Sequence, residues 1–352
     1  MTGDACRLLF IPVSGPTGMG EYARALAMAN AALSFRPDAH ICFLVSREAA
    51  YAANVPFSSV ALPSSPTFHS REVIDVIREF APTTVIFDNA GRTAQLRAAH
   101  ESGAKVVYVS ARPRQRRKAF RLHWMRLIDE HWIAYPRLIA GAPTFIERLK
   151  LGAMARPVLR FLDPLLPPHD DARAAALVDR LRLRSSEYVA IVPGGGTEHP
   201  GSRAMLDTLA QAAVRIAAQG AAVVLVGLPQ SSESENSCLR STERLPLDEL
   251  MELMLGARLV ITNGGYTMLQ ALACDRPCIA LPLVADQSRR IDRCVEAGIA
   301  LRGAPTAEAL ARESLDLLSD SAALDALHLA RSRVRIGNGS AFVGRVLTGS
   351  GG

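Results

Sequence analysis

Short apolar runs recur along the chain, and the segments between them carry their apolar residues at helical spacing. "RLLFIPV" (7–13), "HICFLV" (40–45), "TVIFD" (84–88) and "KVVYVS" (105–110) are near-continuous apolar runs of strand length. Runs without alternation suit strands buried on both faces, as in a parallel sheet covered by helices. "HWIAYP" (131–136) reads as another short strand, residues 20–34 as a long helix of small residues, and "REVIDVIREF" (71–80) as an amphipathic helix. The pattern falters at "RPVLRFLDPLLPPHDD" (156–171), where Pro164, Pro167 and Pro168 forbid a continuous helix.

The alternation then restarts. Helices are expected near 172–183, 203–219 and 247–255, with strands at 188–196, 221–227 and 258–262. "VITNGGYTMLQALACDRPCIALP" (260–282) reads as strand, glycine turn, helix and strand, and another helix begins near Asp286. The polar stretch 229–244 reads as an insertion, either a lid or a surface loop. The expected fold is α/β: two Rossmann-like, doubly wound parallel-sheet domains facing across a cleft. Their spans are 1–163 and 170–352, with the last helix able to pack back on the first domain.

A length of 352 residues suits two domains, and 49% apolar with 21% charged residues calls for buried cores rather than disorder. No apolar run approaches the ~20 residues of a membrane span, and nothing resembles a secretory signal, so a cytoplasmic protein is expected. Of six cysteines only Cys274 and Cys278 are close, and no second Cys/His pair follows at zinc spacing. They read as reduced thiols with neither a metal site nor disulfides. The net charge of +6 is concentrated in "RPRQRRKAFRLHWMR" (112–126).

Ligands of open parallel sheets bind beyond the carboxyl ends of the strands, where helix N-termini offer free N–H groups. Three glycine-rich turns fall at that edge: "SGPTGMGE" (14–21), "PGGGTE" (193–198) and "NGGYT" (263–267). Any one of them could be a steric necessity; three, with at least one in each half, point to a nucleotide phosphate. There is no P-loop, and Gly15, Gly18 and Gly20 do not have dinucleotide-binding spacing.

On Gly194–Glu198, Asn263–Pro282 and Asp286–Gln287, the chain resembles glycosyltransferases of the GT-B fold. The resemblance is strongest to the MurG-like branch, which includes a sugar-nucleotide hydrolase of pseudaminic acid synthesis. It implies that Gly194, Gly195, Gly196 and Thr197 line the nucleotide. Gly264, Gly265 and Thr267 would contact the pyrophosphate, while Asp286 and Gln287 would contact the donor sugar. Gln270 stands where the family usually has the glutamate that grips the ribose, and Glu21 where it has histidine.

Three residues form the shortlist for the base that would deprotonate an acceptor. They are Glu21 at a helix start, Asp88 at a strand end, and His69 in a loop before a helix. Helix-start stabilisation, capping and a surface position are their respective structural readings. In the basic stretch, Phe120, Trp124 and Leu127 would share one side of a helix, with Arg114, Arg117, Lys118 and Arg121 elsewhere. That stretch is expected to contact an acceptor or an anionic membrane surface, or else to be a solvated face with Trp124 in the core. A single basic cluster outside any nucleic-acid module argues against nucleic acid.

The reading that follows is an inverting, metal-independent glycosyltransferase without cofactors, since no Asp-x-Asp occurs. It would use a UDP-sugar donor and a glycan or lipid-linked acceptor, in the cytoplasm or at the inner face of the membrane. The alternatives are a sugar-nucleotide hydrolase or epimerase on the same scaffold, and a non-catalytic nucleotide-sugar-binding protein.

Overall fold

Every strand of the first sheet runs parallel to its neighbours. The strands are β1 (Arg7–Pro12), β2 (His40–Ser46), β3 (Ser58–Leu62), β4 (Thr84–Asp88), β5 (Lys105–Ser110), β6 (Glu130–Ile133) and β7 (Val158–Phe161). Their order is β3-β2-β1-β4-β5-β6-β7, so the chain reverses its direction of winding between β1 and β4. Helices α1 (Gly20–Phe35), α2 (Ser70–Phe80), α3 (Thr93–Glu101), α4 (Pro113–Ala119), α5 (Leu122–Met125), α6 (Arg137–Ala140) and α7 (Phe145–Ala153) complete this part. Separate apolar layers cover the two faces of the sheet. One holds Leu8, Phe10, Met28 and Phe43, and the other Leu9, Ile11, Phe87 and Tyr108.

The second sheet contains β8 (Tyr188–Val192), β9 (Ala222–Val226), β10 (Leu239–Thr242), β11 (Leu259–Asn263), β12 (Cys278–Leu281) and β13 (Leu301–Arg302). It is also parallel, in the order β10-β9-β8-β11-β12-β13, which repeats the winding of the first sheet. Its helices are α8 (Asp171–Arg180), α9 (Ser202–Ala218), α10 (Leu247–Gly256), α11 (Tyr266–Ala273), α12 (Ala285–Glu296), α13 (Ala307–Ser319) and α14 (Ser321–Arg333). A last helix, α15 (Ser340–Thr348), lies on α1 so closely that a Cβ at Gly344 would meet the Ala31 carbonyl oxygen at 2.5 Å.

This computed structural model describes residues 5–15, 19–194, 202–228 and 238–349. The chain divides into Met1–Leu165 with Gly339–Gly352, and Leu166–Asn338. Among the described residues no helix is long and apolar enough to cross a membrane.

Two expectations need correction. Residues 229–244 are not all loop: Leu239–Thr242 is an edge strand paired with β9, while 229–237 lie outside the described residues. Nor is 112–126 one helix, because it breaks at Phe120–Arg121 into α4 and α5. Phe120 and Trp124 are both buried, and Trp124, at 1% exposure, cannot contact an acceptor or membrane surface. Its indole N–H donates to the Thr93 hydroxyl at 3.0 Å instead.

Candidate functional site

The first sheet's carboxyl edge is organised by ions. Asp88, the last residue of β4, stands opposite Pro12 of β1 at the point where the winding reverses. Arg24 reaches from α1 and donates two bonds to it, Nε to Oδ2 at 2.8 Å and Nη2 to Oδ1 at 2.7 Å. Asp88 is 1% exposed. Burial pushes its carboxyl up to about 6, against the pull of Arg24. The sequence reading missed Arg24, a lone cation among the alanines of α1 on a face shared with Met28.

Asn89 follows in the left-handed conformation, φ 51°, which asparagine tolerates better than most side chains. Its Oδ1 accepts from the Ala111 N–H at 2.9 Å, and its Nδ2 donates to Glu21 Oε1 at 3.0 Å. Arg112 Nη2 donates to the same oxygen at 2.9 Å. Glu21 is thus fixed in the first turn of α1 by groups from the ends of β4 and β5. Its side chain is 14% exposed, and Oε2 has no partner among the described residues.

His69 is placed differently. The Ser64 backbone N–H donates to its Nε2 at 3.2 Å, the Ser64 hydroxyl lies 2.9 Å from the same nitrogen, and Nδ1 lies 3.4 Å from Glu72. The ring therefore fastens the segment entering α2.

Basic residues continue this edge. Arg114, Arg117 and Arg121 are exposed, while Lys118 is half-buried. Its ammonium donates to the Gly91 carbonyl at 2.9 Å and lies 4.3 Å from the Trp124 ring centre.

The matching strand end of the second sheet carries a neutral side chain. Asn263 ends β11 as Asp88 ends β4, but its Nδ2 donates across to the Pro193 carbonyl beyond β8. Its Oδ1 accepts from the Gly265 N–H at 2.7 Å, closing an Asx turn. The glycines here have steric reasons of their own. A Cβ on Gly194 (φ 92°) would meet Asn263 Nδ2 at 2.3 Å, and one on Gly264 would meet Ile291 of α12 at 2.6 Å. Gln287 Oε1 accepts from the Leu283 N–H at 2.8 Å. Arg290 Nη1 donates to the Gly264 carbonyl at 2.7 Å, and Asp286 stands 3.3 Å from Arg290 Nη2. The neighbouring thiols are inert: burial pushes Cys274 and Cys294 up to about 12.

Two polar side chains of α11 keep their hydrogen-bonding capacity. Thr267 and Gln270 are 8% and 6% exposed, one turn apart, and neither side chain makes a hydrogen bond among the described residues. The helix starts at Gly265 without a side-chain cap. An uncapped helix start beside two polar side chains that keep hydrogen-bonding capacity suits an anionic ligand. Gly195, Gly196 and Thr197, expected to line the nucleotide, lie outside the described residues, as do Pro16, Thr17 and Gly18.

No protein-family model matches the chain, and no curated protein matches its sequence. Solved structures do. The spinosyn forosaminyltransferase SpnP is 15% identical, covering 97% of this chain and 98% of its own, with a TM-score of 0.66. Arabidopsis thaliana UGT89C1 is 13% identical, covering 99% of each chain, at 0.67. A putative UDP-N-acetylglucosamine 2-epimerase from Listeria monocytogenes is 15% identical, covering 97% of this chain and 95% of its own, at 0.57. At such identities the likeness is one of fold, and that fold is GT-B.

Proposed function

We propose that this chain, folded on the GT-B plan, transfers a sugar from a UDP-sugar to an acceptor hydroxyl. The observation that carries the reading is the pair Thr267 and Gln270, polar and almost buried yet unbonded, at the uncapped start of α11. Neither belongs to the side chains whose polar atoms are buried without a partner, so both can still bond a ligand, and a helix start that lacks a cap suits an anion. The donor diphosphate takes the Thr267 N–H and hydroxyl, and Gln270 takes a ribose hydroxyl. Gly264 and Gly265 keep the backbone open to that contact, with Asp286 and Gln287 toward the sugar.

Glu21 serves as the base. Asp88 has both oxygens held by Arg24, and His69 Nε2 is occupied by a backbone N–H. Of the two carboxylates only Glu21 is partly exposed with a free oxygen. It takes the acceptor proton as the acceptor oxygen attacks the anomeric carbon. The bond from that carbon to the diphosphate breaks, UDP leaves, and one displacement inverts the centre. The charge of the leaving group falls on the Thr267 N–H and hydroxyl, so the step as drawn needs no metal. A glycan or lipid-linked acceptor, and a position at the inner membrane face, are supported by the exposed Arg114, Arg117 and Arg121.

The test combines binding with turnover. UDP raises the melting temperature of the wild type, and Thr267→Ala shrinks that shift. Glu21→Gln keeps the shift but loses at least 100-fold in sugar transfer. No stabilisation by any nucleoside diphosphate defeats the donor assignment. Donor consumption that ignores the acceptor selects the second reading, a sugar-nucleotide hydrolase or epimerase, which the fold of the Listeria monocytogenes epimerase favours. Binding without consumption leaves a nucleotide-sugar-binding protein.

A further inference from the structure

The cations beside Glu21 are arranged unlike an ordinary solvated face. Lys118 of α4 is half-buried, its ammonium held between the Gly91 carbonyl and the face of Trp124. Arg92 comes from the loop after β4, Arg114 from the first turn of α4, and Arg121 from the junction with α5. Arg114 precedes Lys118 by one turn of α4, and Arg121 follows it by three residues. Arg92, whose Nε donates to the Thr67 carbonyl at 3.1 Å, is next to the Gly91 that Lys118 bonds. All three act on the ammonium with the same sign. Together with burial, the larger cause, they push it down to about 8. Among the described residues no carboxylate lies within ion-pair distance of any of these four groups. Arg116, next along the chain, shows the contrast, since Glu147 binds its guanidinium at 3.0 and 2.7 Å.

Cations left together around a half-buried ammonium repel one another, and the fold supplies no anion to relieve them. We infer that Lys118, Arg92, Arg114 and Arg121 form a receiving site for a phosphate or carboxylate group, on the sheet edge that carries Glu21. Arginine suits such a group through its paired donors, and Lys118 supplies a point charge fixed from below by Trp124. Assigning that anion to the acceptor rests on the first unit being the acceptor-binding one. The anion site itself does not depend on sugar transfer, so the two can fail separately.

Pyridoxal 5′-phosphate tests the site directly. Its aldehyde condenses with a lysine amine, water leaves, and borohydride reduces the imine to a stable adduct that mass spectrometry locates. The chain has three lysines, so Lys105 and Lys150 are internal controls. Lys105 is paired with Glu130, and Lys150 donates to the Phe120 carbonyl. The expected result is labelling at Lys118 at least tenfold faster by pyridoxal phosphate than by pyridoxal, with inorganic phosphate or pyrophosphate protecting.

Pyridoxal separates phosphate capture from the ordinary reactivity of an amine with lowered pKa. Arg114→Ala/Arg121→Ala changes two exposed side chains that make no hydrogen bond among the described residues, and it should erase most of the phosphate preference. Equal rates for the two aldehydes overturn the proposal. So does protection by phosphatidylglycerol vesicles but not by soluble phosphate, which would make the cluster a membrane-headgroup contact.

Discussion

Asp88 and Asn263 occupy matching places, each ending the strand beside the first strand of its sheet, where the winding reverses. One is a buried ion bound to Arg24, and the other a neutral amide bridging the Pro193 carbonyl and the Gly265 N–H. The same backbone plan has thus been closed in two chemical ways. At the first edge ions hold α1, Glu21 and the loop after β4 in place. At the second, a neutral amide, close packing and the Arg290 guanidinium on the Gly264 carbonyl hold the turn. A fold places its ligand edge; the side chain at one strand end decides whether that end is closed by an ion pair or by an amide bridge.

The comparison breaks most visibly at its ion pair. Asp88→Ala strands the Arg24 charge and should cost about 3–5 kcal/mol in urea unfolding. Arg24→Met with Asp88→Leu should recover most of that loss, and failure to recover would mean that the pair does more than satisfy itself. At the second edge the equivalent damage is steric. Gly264→Ala drives a methyl into Ile291 and should cost about 1–3 kcal/mol, with no dependence on salt.

The two units should also differ in their response to acid. His131 on β6 is buried and bonded to the Ser110 hydroxyl at 2.8 Å. Burial pushes its ring down to about 3, with Arg116 adding to the effect. The folded ring stays neutral while the unfolded one gains a proton, so its stabilisation is present above about pH 6.5 and lost as pH falls toward 3. Stability should fall by about 1.4 kcal/mol per pH unit on this account, and His131→Leu should flatten that slope. The second unit's buried Cys274 and Cys294 titrate near 12 and add nothing in this range. The smallest effect sharpens the role of Thr267 and Gln270. Gln270→Ala should weaken UDP binding about tenfold, ~1.4 kcal/mol, and leave the melting temperature of the free protein unchanged.

Legibility followed burial. The central strands β1, β2, β4, β5, β8 and β11 are covered on both faces, so their apolar runs are unbroken and readable. Edge strands β3 and β7 are half exposed, and "SSVAL" and "VLRF" contain too few apolar residues to mark them. The same holds for β10, hidden in a polar stretch. Of the candidate site, the strand ends and helix starts were readable because glycine and polar residues interrupt the apolar runs there. That gave Glu21, Asp88, Gly264 and Thr267 as positions, but their partners lie far away in sequence. Arg24 and Asp88 are 64 residues apart, Glu21 and Arg112 are 91 apart, and no local pattern links them.

Sequence alone determined the α/β class, the two windings and the glycine turn at 263–267, because buried strands and tight turns restrict which residues can be used locally. Only the tertiary structure decided which carboxylate is free. Arg24 consumes Asp88, a backbone N–H occupies His69, and Glu21 keeps an open oxygen, since ion pairing and desolvation depend on groups brought together by folding. It also turned the basic stretch from a single amphipathic helix into two, with Trp124 as a buried floor beneath Lys118.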